Sequence, residues 1–191
     1  MPQSPIAGEY YFRKHEMVAG FNFSKDGKFQ FFFSYGAVDR NATGTFTVEG
    51  DLVKLKSDKE PGKDFIVEKQ HKQPGGGYHL VAKHPNKYLV NYVVAVFFIG
   101  EEQHTQESDS SGEIHTDLPH CDKIYVQHRL FPDIMTLIKD TDNNNNHFEL
   151  SLNPSLEQVS FKGIDLKIVG DTLTCLPNYF LPMEGVAFVK N

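Results

Sequence analysis

Metal-ligating residue types are concentrated in one stretch of the chain, which contains His115, His120, Cys121 and His128. Imidazole nitrogen and thiolate sulfur are donors that zinc and copper prefer, and three of these side chains would be enough for a site. Their spacing matches no known zinc-finger pattern, so the same residues would equally serve as ordinary polar loop residues. Both interpretations stay open, and the first leads to one functional hypothesis, a metal-dependent enzyme that uses the region from His115 to His128.

A second polar tract places the oxygen donors Asp140, Asp142 and Asn144 at alternate positions, as at the start of a calcium loop. The sixth position of such a loop needs glycine and the twelfth needs glutamate, whereas this chain has Asn145 and Ser151 there. Asparagine favours turn geometry for local reasons. The tract therefore predicts a polar turn, and we expect the protein to have no cofactor.

The segment from Tyr35 to Arg40 combines a Gly-Ala corner with the opposite charges of Asp39 and Arg40. Loops at the mouths of barrels frequently carry ligands, so this segment and the nearby Phe31 and Phe33 form the candidate ligand-binding set. The alternative is a bent strand end with a local ion pair, which is common on protein surfaces. The residue types alone do not separate these two predictions.

Alternation of apolar and polar residues dominates the region from Phe21 to Lys56, with an Asp26-Gly27 hairpin signal inside it. This period of two is typical of an antiparallel sheet with one buried face. Shorter runs of the same kind continue to the C-terminus, and no segment keeps a helical period over three turns. We predict an all-β fold, an antiparallel meander or barrel with an inserted small β-sandwich-like module. Strand should exceed ~40 % and helix should stay below ~10 %.

Phenylalanine occupies most of the inward positions of the predicted meander. The phenylalanines at these inward positions are Phe21, Phe23, Phe29, Phe31, Phe33 and Phe46. In a small eight-stranded barrel such rings would fill the interior as a core. In a wider barrel they would line a cavity for an apolar ligand.

The strand pattern predicts two modules along the chain. Residues 5–86 and 156–191 are expected to form a barrel or half-barrel, because the C-terminal strands complete the N-terminal meander. Residues 89–154 are expected to form the inserted β-sandwich-like module. The polar excursion from Gly100 to Cys121 is long for a structureless loop, so we expect a hairpin or a turn at Asp109 to Gly112 within it.

Several short motifs resemble the lipocalin-like (calycin-type) bacterial β-barrels, a largely uncharacterised group. These motifs are Gly8-Glu9-Tyr10, Phe23-Ser-Lys-Asp-Gly-Lys-Phe29, Tyr35-Gly-Ala37, Gly44-Thr-Phe46, Leu166-Lys-Ile-Val-Gly-Asp-Thr-Leu173 and Gly185-Val-Ala-Phe-Val-Lys190. The middle of the chain, Val93 to Leu152, is similar to transthyretin-like sandwich modules. Tyr10 stands where the barrel family usually has tryptophan, and no ligand-contact motif matches. The resemblance therefore implies a fold and little about function.

Composition narrows the classes of partner. The net charge is −6 and the basic residues are scattered, which argues against nucleic acid and against a polybasic membrane patch. No run reaches the ~18 to 20 apolar residues of a membrane helix. We expect an unidentified macromolecule or a small apolar ligand as partner, no nucleic acid and no membrane insertion. The oligomeric state stays open.

The N-terminus lacks the charged start and apolar run of a secretory signal. Either the protein is cytoplasmic or a signal has been removed, and we slightly favour an extracytoplasmic location, periplasmic or secreted. Cys121 and Cys175 fall in different predicted modules, and a disulfide requires Cα atoms within ~7 Å. We therefore expect two free thiols.

Three functional hypotheses follow from these patterns. The first is a non-catalytic β-rich binding protein that engages a protein or glycan through loops and sheet edges. The second is a lipocalin-like carrier of a small apolar ligand in a phenylalanine-lined cavity. The third is the metal-dependent enzyme described above. The lack of a recognisable catalytic constellation favours binding over catalysis.

Overall fold

The computed structural model describes residues 6–191 and confirms the all-β prediction, with 54 % strand and 2 % helix. The chain divides into two compact units. The first comprises residues up to 60 together with 157–191, and the second comprises residues 61–156. None of the helices among the described residues is long and apolar enough to cross a membrane.

Eight strands belong to the first unit. They are β1 (Gly8–Lys14), β2 (Met17–Phe23), β3 (Lys28–Tyr35), β4 (Val38–Glu49), β5 (Leu52–Ser57), β14 (Asp165–Val169), β15 (Thr172–Cys175) and β16 (Val186–Lys190). The second unit holds the remaining elements. They are β6 (Phe65–His71), β7 (Tyr78–Lys83), α1 (Lys87–Val90), β8 (Val93–Ile99), β9 (Glu102–Glu107), β10 (Glu113–Thr116), β11 (Lys123–His128), β12 (Thr136–Lys139) and β13 (His147–Leu152).

The first unit is a closed eight-stranded barrel with the strand order β1-β16-β15-β14-β5-β4-β3-β2. Hairpins join β1 through β5, so each strand pairs antiparallel with the next one along the chain. The barrel closes where β16 pairs with β1, with Tyr10 opposite Lys190. Closure removes the bare edge that an open sheet would present.

Aromatic rings fill the middle of the barrel. The ring centroids of Phe21 and Phe31 are 4.7 Å apart, those of Phe31 and Phe161 are 4.9 Å apart, and those of Phe21 and Phe188 are 5.0 Å apart. These spacings are ordinary packing contacts between rings. Phe161 keeps its place although its φ of +51° lies in the left-handed region, which is rare for a bulky residue. The phenylalanine ladder is therefore packed as a core.

The second unit consists of two four-stranded sheets, which we call the first sheet, β10-β7-β13-β6, and the second sheet, β12-β11-β8-β9. Tyr78 of the first sheet packs on Phe97 of the second, with ring centroids 5.9 Å apart. The Tyr78 hydroxyl also accepts the backbone N–H of Cys121 at 2.9 Å. The hydroxyl oxygen of Thr136 accepts the backbone N–H of Asp64 at 3.0 Å. These contacts hold the two sheets together as a small sandwich.

The observed boundary between the units differs from the predicted one. The sequence pattern assigned residues 5–86 to the barrel and began the insertion at residue 89, whereas the second unit starts at residue 61. The reason is strand pairing: β6 pairs with β13, and β7 pairs with both β13 and β10. Alternation shows which face of a strand is buried but does not show which strand lies beside it.

Candidate metal centre on the outer face of the first sheet

Each of the four strands in the first sheet contributes one histidine at the same level. His115 of β10 lies opposite His79 of β7, His79 lies beside His147 of β13, and His147 lies opposite His71 of β6. Residues that are paired directly across strands point to the same face of a sheet. The four imidazoles therefore form one continuous line, which we call the histidine row.

Neighbouring rings of the histidine row are in contact. His79 and His115 are stacked, with centroids 3.9 Å apart and an interplanar angle of 19°. His79 meets His147 edge to face, with centroids 4.8 Å apart. His147 and His71 have centroids 4.5 Å apart and planes tilted by 39°. The four rings therefore pack against one another across the whole width of the sheet.

Glu113 adds a carboxylate to one end of the histidine row. It lies two residues before His115 on β10, so both side chains share the outer face. Its Oε2 atom is 3.0 Å from Nε2 of His79 and 3.1 Å from Nε2 of His115. Among residues 6–191, this is the one group of three or more His, Cys, Asp or Glu whose ligand atoms lie within 4.8 Å of one another.

Electrostatics keep the carboxylate charged. Hydrogen bonds from His115 and His79, in that order of importance, hold the pKa of Glu113 below its usual range. At the centre of the row, His147 is only 8 % exposed. Its burial, together with the neighbouring His79 and His71, lowers the pKa of His147. The row thus carries a carboxylate of lowered pKa at one end and a buried imidazole of lowered pKa at its centre.

A tight turn positions Glu113. The Asp109 carboxylate accepts the backbone N–H groups of Ser111 and Glu113 at 2.8 and 2.9 Å, and these bonds hold its pKa below the usual range. Gly112 has a φ of +83°, and a Cβ atom there would lie 2.6 Å from the carbonyl oxygen of Ala82. Only glycine fits this turn without strain. The predicted turn at Asp109 to Gly112 is therefore confirmed.

Beside the row, the backbone of the β6–β7 connection is held by one buried amide. Asn146 accepts the backbone N–H of Gln73 at 2.7 Å and donates to the carbonyl oxygen of Gly77 at 3.1 Å. Gly77 has a φ of +82°, and a Cβ atom there would lie 2.3 Å from the carbonyl oxygen of Thr116. A cleft of about 230 Å³ lies between this connection and the His79–His115 end of the row.

The structure separates the four residues of the predicted metal set. His115 belongs to the histidine row, whereas His120 is exposed in the following loop. Cys121 is a buried free thiol whose pKa is raised by burial. His128 is fully buried, with Nε2 2.9 Å from the carbonyl oxygen of Leu89. Only His115 of these residues falls in the group of ligand atoms around Glu113.

The predicted ligand-binding set is also divided. Phe31 and Phe33 point into the barrel core, and Arg40 is 2 % exposed, with Nη2 donating to the carbonyl oxygen of Gln158 at 2.9 Å. Tyr35 and Asp39 are exposed. Successive residues of a strand alternate between its faces, so Asp39 and Arg40 point in opposite directions. The set therefore does not form one surface.

Sequence reasoning missed His71, His79, His147 and Glu113. The four histidines of the row lie on four separate strands, and only the pairing of these strands brings the rings together. A usable signal was present, because His79 and His147 each occupy an outward position of an alternating strand. This outward position alone does not show that the two histidines are neighbours, because that depends on the register of the parallel β7–β13 pair.

Comparison with known proteins finds no family model, no curated protein and no solved structure that matches this chain. Two imidazoles and a carboxylate on a paired strand framework are a ligand set that zinc uses in proteins, with a fourth position left open. The cleft beside His79 and His115 is large enough to admit water next to these two rings.

Proposed function

We propose that this protein is a non-catalytic binding protein whose ligand is a divalent transition-metal ion, held by His79, Glu113 and His115. One observation carries the proposal: the carboxylate oxygen lies within 3.1 Å of both imidazole nitrogens. Ligand atoms ~2.0 Å from a tetrahedral metal lie roughly 3.3 Å from each other. The three donors need only small side-chain movements to surround an ion.

The framework supports this proposal because the ligands come from two directly paired strands. His79 and His115 are opposite each other in the β7–β10 pair, so their separation is fixed by backbone hydrogen bonds. Glu113 is fixed by the turn at Asp109. Sites built on strands are held more precisely than sites on loops.

The donor types indicate which ions fit. Imidazole nitrogen suits zinc, copper and nickel, whereas magnesium and calcium prefer oxygen ligands alone. We expect affinity to rise from cobalt to nickel to copper, with zinc below copper, because this order holds for most mixed nitrogen and oxygen sites.

Isothermal titration calorimetry tests the proposal on the full chain. The protein is first treated with a chelator and dialysed, then titrated with zinc chloride in a non-coordinating buffer at pH 7.5. We expect saturable binding that weakens at least tenfold in His79→Ala, His115→Ala and Glu113→Gln. His120→Ala is the matched control, because it removes an exposed histidine from the same unit.

Unchanged zinc affinity in the variants would contradict the proposal. If His79→Ala, His115→Ala and His120→Ala bind zinc with the affinity of the unaltered protein, the ion does not sit at Glu113. Thermal melts of each variant without zinc show whether the fold is retained, so that lost binding is not mistaken for unfolding.

A second candidate is the engagement of a protein or glycan through loops. It is favoured by a tyrosine pair at the surface: Tyr88 is 56 % exposed, and its hydroxyl accepts a hydrogen bond from that of the half-buried Tyr92 at 2.8 Å. Tyrosine is enriched among residues that dominate binding interfaces. A glycan array probed with the labelled protein and with Tyr88→Ala tests the glycan form. Signals that persist in the variant would contradict a role for this pair.

A third candidate is a lipocalin-like barrel that carries a small apolar ligand. The eight antiparallel strands support the lipocalin-like identity, since small barrels of this size are common to carriers. The contacts of Phe21, Phe31 and Phe161 do not favour the carrier role, because a ligand would have to displace packed rings. The metal-binding proposal therefore has the stronger support.

A further inference from the structure

The far end of the histidine row holds a second pair of ligands that the site at Glu113 does not use. We propose that His71 and His147, assisted by the Gln73 side chain, form a second binding site for a divalent transition-metal ion. This inference goes beyond the proposed function, since it concerns different residues and predicts a different stoichiometry. The first sheet would then carry two ions side by side.

The geometry of the pair supports a shared ion. His71 and His147 are direct cross-strand partners in the β6–β13 pair, and their ring centroids are 4.5 Å apart. The Nε2 atom of Gln73 lies 3.2 Å from Nε2 of His71. The nitrogen and oxygen of a carboxamide exchange places by a flip, which would present an oxygen donor to the same point.

The backbone around the pair is fixed. The Asn146 side chain accepts the backbone N–H of Gln73 at 2.7 Å, and the Asn146 backbone N–H donates to the carbonyl oxygen of His71 at 3.2 Å. The buried Asn146, which precedes His147 in the chain, therefore anchors the one short segment that carries the exposed His71 and Gln73. A site held in this way loses little conformational entropy when it binds an ion.

His147 provides an independent observation that points to a ligand. The residue is 8 % exposed, and its buried Nδ1 atom has no hydrogen-bond partner. Buried polar atoms are nearly always paired, so an unpaired one calls for an explanation such as an ion. Coordination through this nitrogen would satisfy it.

The two ions should differ in affinity. The rings of His79 and His147 have centroids only 4.8 Å apart, so an ion at Glu113 repels an ion at His147. The second pair also lacks a carboxylate of its own, because Glu149 on the same strand is paired with Lys83 at 2.5 Å and with Lys69 at 3.8 Å. We expect the second ion to bind at least tenfold more weakly than the first.

Metal stoichiometry of the full chain tests the inference. Zinc is the probe, and bound metal is measured by calorimetry and by elemental analysis after equilibrium dialysis. We expect two ions per chain. His71→Ala should bind one ion with the stronger affinity unchanged, and the double variant with His79→Ala and His115→Ala should bind one ion weakly. His71 is exposed, so its substitution should not disturb folding. His120→Ala should still bind two ions.

Each alternative outcome has a distinct meaning. One ion in the unaltered protein that is retained by His71→Ala and lost from the double variant overturns the second site and leaves the proposed function standing. A single ion lost from both variants overturns the inference, because the whole row would then hold one ion. One weak ion that is lost only from His71→Ala supports the second site and contradicts the proposed function. No binding overturns both.

Discussion

The strands of both units alternate between buried and exposed residues, but the two units place different residue types at these positions. In the barrel, the inward positions carry phenylalanine, and the rings of Phe21, Phe31 and Phe188 pack at the centre. In the sandwich, the core is largely aliphatic, and the outer face of one sheet carries the histidine row. The buried side chains therefore account for the fold of each unit. The candidate metal ligands, in contrast, are outward-facing side chains that neighbouring strands place on the same face of a sheet.

The largest expected effect concerns the barrel interior. Phe21→Ala should lower the free energy of unfolding by about 3–5 kcal/mol, because it removes a ring packed among other rings and leaves a cavity. Phe32→Ala is the matched control, since Phe32 points outward on the neighbouring strand and is 41 % exposed. Urea unfolding followed by circular dichroism measures both. Equal losses would contradict the assignment of the ladder as a core.

Much of the barrel is predictable because its pairing is local. Asp26-Gly27 and Glu49-Gly50 join neighbouring strands, so the register of each hairpin follows from its turn. The alternation then places the Phe21 set inside and Phe32 outside. The pairing of β1 through β5 therefore involves only strands that follow one another in the chain.

The sandwich is less predictable because its pairing is not local. β7 and β13 run parallel although a long stretch of chain separates them, and β6 reaches β13 across the same gap. The alternation in these strands shows that His79 and His147 point outward, but no local signal joins them. For that reason the sequence pointed to His115 and missed its neighbours in space.

Zinc should stabilise the sandwich through the histidine row. At a zinc concentration one hundred times the dissociation constant, the stabilisation is about 2.7 kcal/mol, since the ion binds only the folded unit. Differential scanning calorimetry should show one transition that moves to higher temperature with zinc and returns with a chelator. In His115→Ala this shift should become much smaller, because only the weaker pair of His71 and His147 is left to bind zinc. A shift of equal size in His115→Ala would place the ion elsewhere.

Thiol reactivity should distinguish the folded barrel from the unfolded chain. Burial raises the pKa of Cys175 to about 11, so at pH 8 its thiolate should be rarer than in an unfolded chain by a factor on the order of 100. Alkylation by iodoacetamide at pH 8 should slow accordingly and recover in urea. A raised pKa keeps the Cys175 thiol protonated at pH 8, so its rate of alkylation should increase as the pH approaches 11.

The same experiment counts thiols. Two reactive thiols in urea without reductant are expected, because Cys121 and Cys175 are both free. A count of zero would mean that the two cysteines are joined. Equal alkylation rates in folded and unfolded protein would contradict the partial burial of Cys175.

The smallest expected effect concerns the turn that positions Glu113, and two glycines of the sandwich allow a matched comparison. Gly112 and Gly100 both have positive φ, but a Cβ atom on Gly112 would lie 2.6 Å from the carbonyl oxygen of Ala82, whereas the space around Gly100 is open. Gly112→Ala should cost about 1 kcal/mol more than Gly100→Ala, because only the first combines backbone strain with a clash. It should also weaken zinc binding several-fold by moving Glu113, an effect that Gly100→Ala should lack. Identical zinc affinities in the two variants would show that the turn does not set the position of the carboxylate.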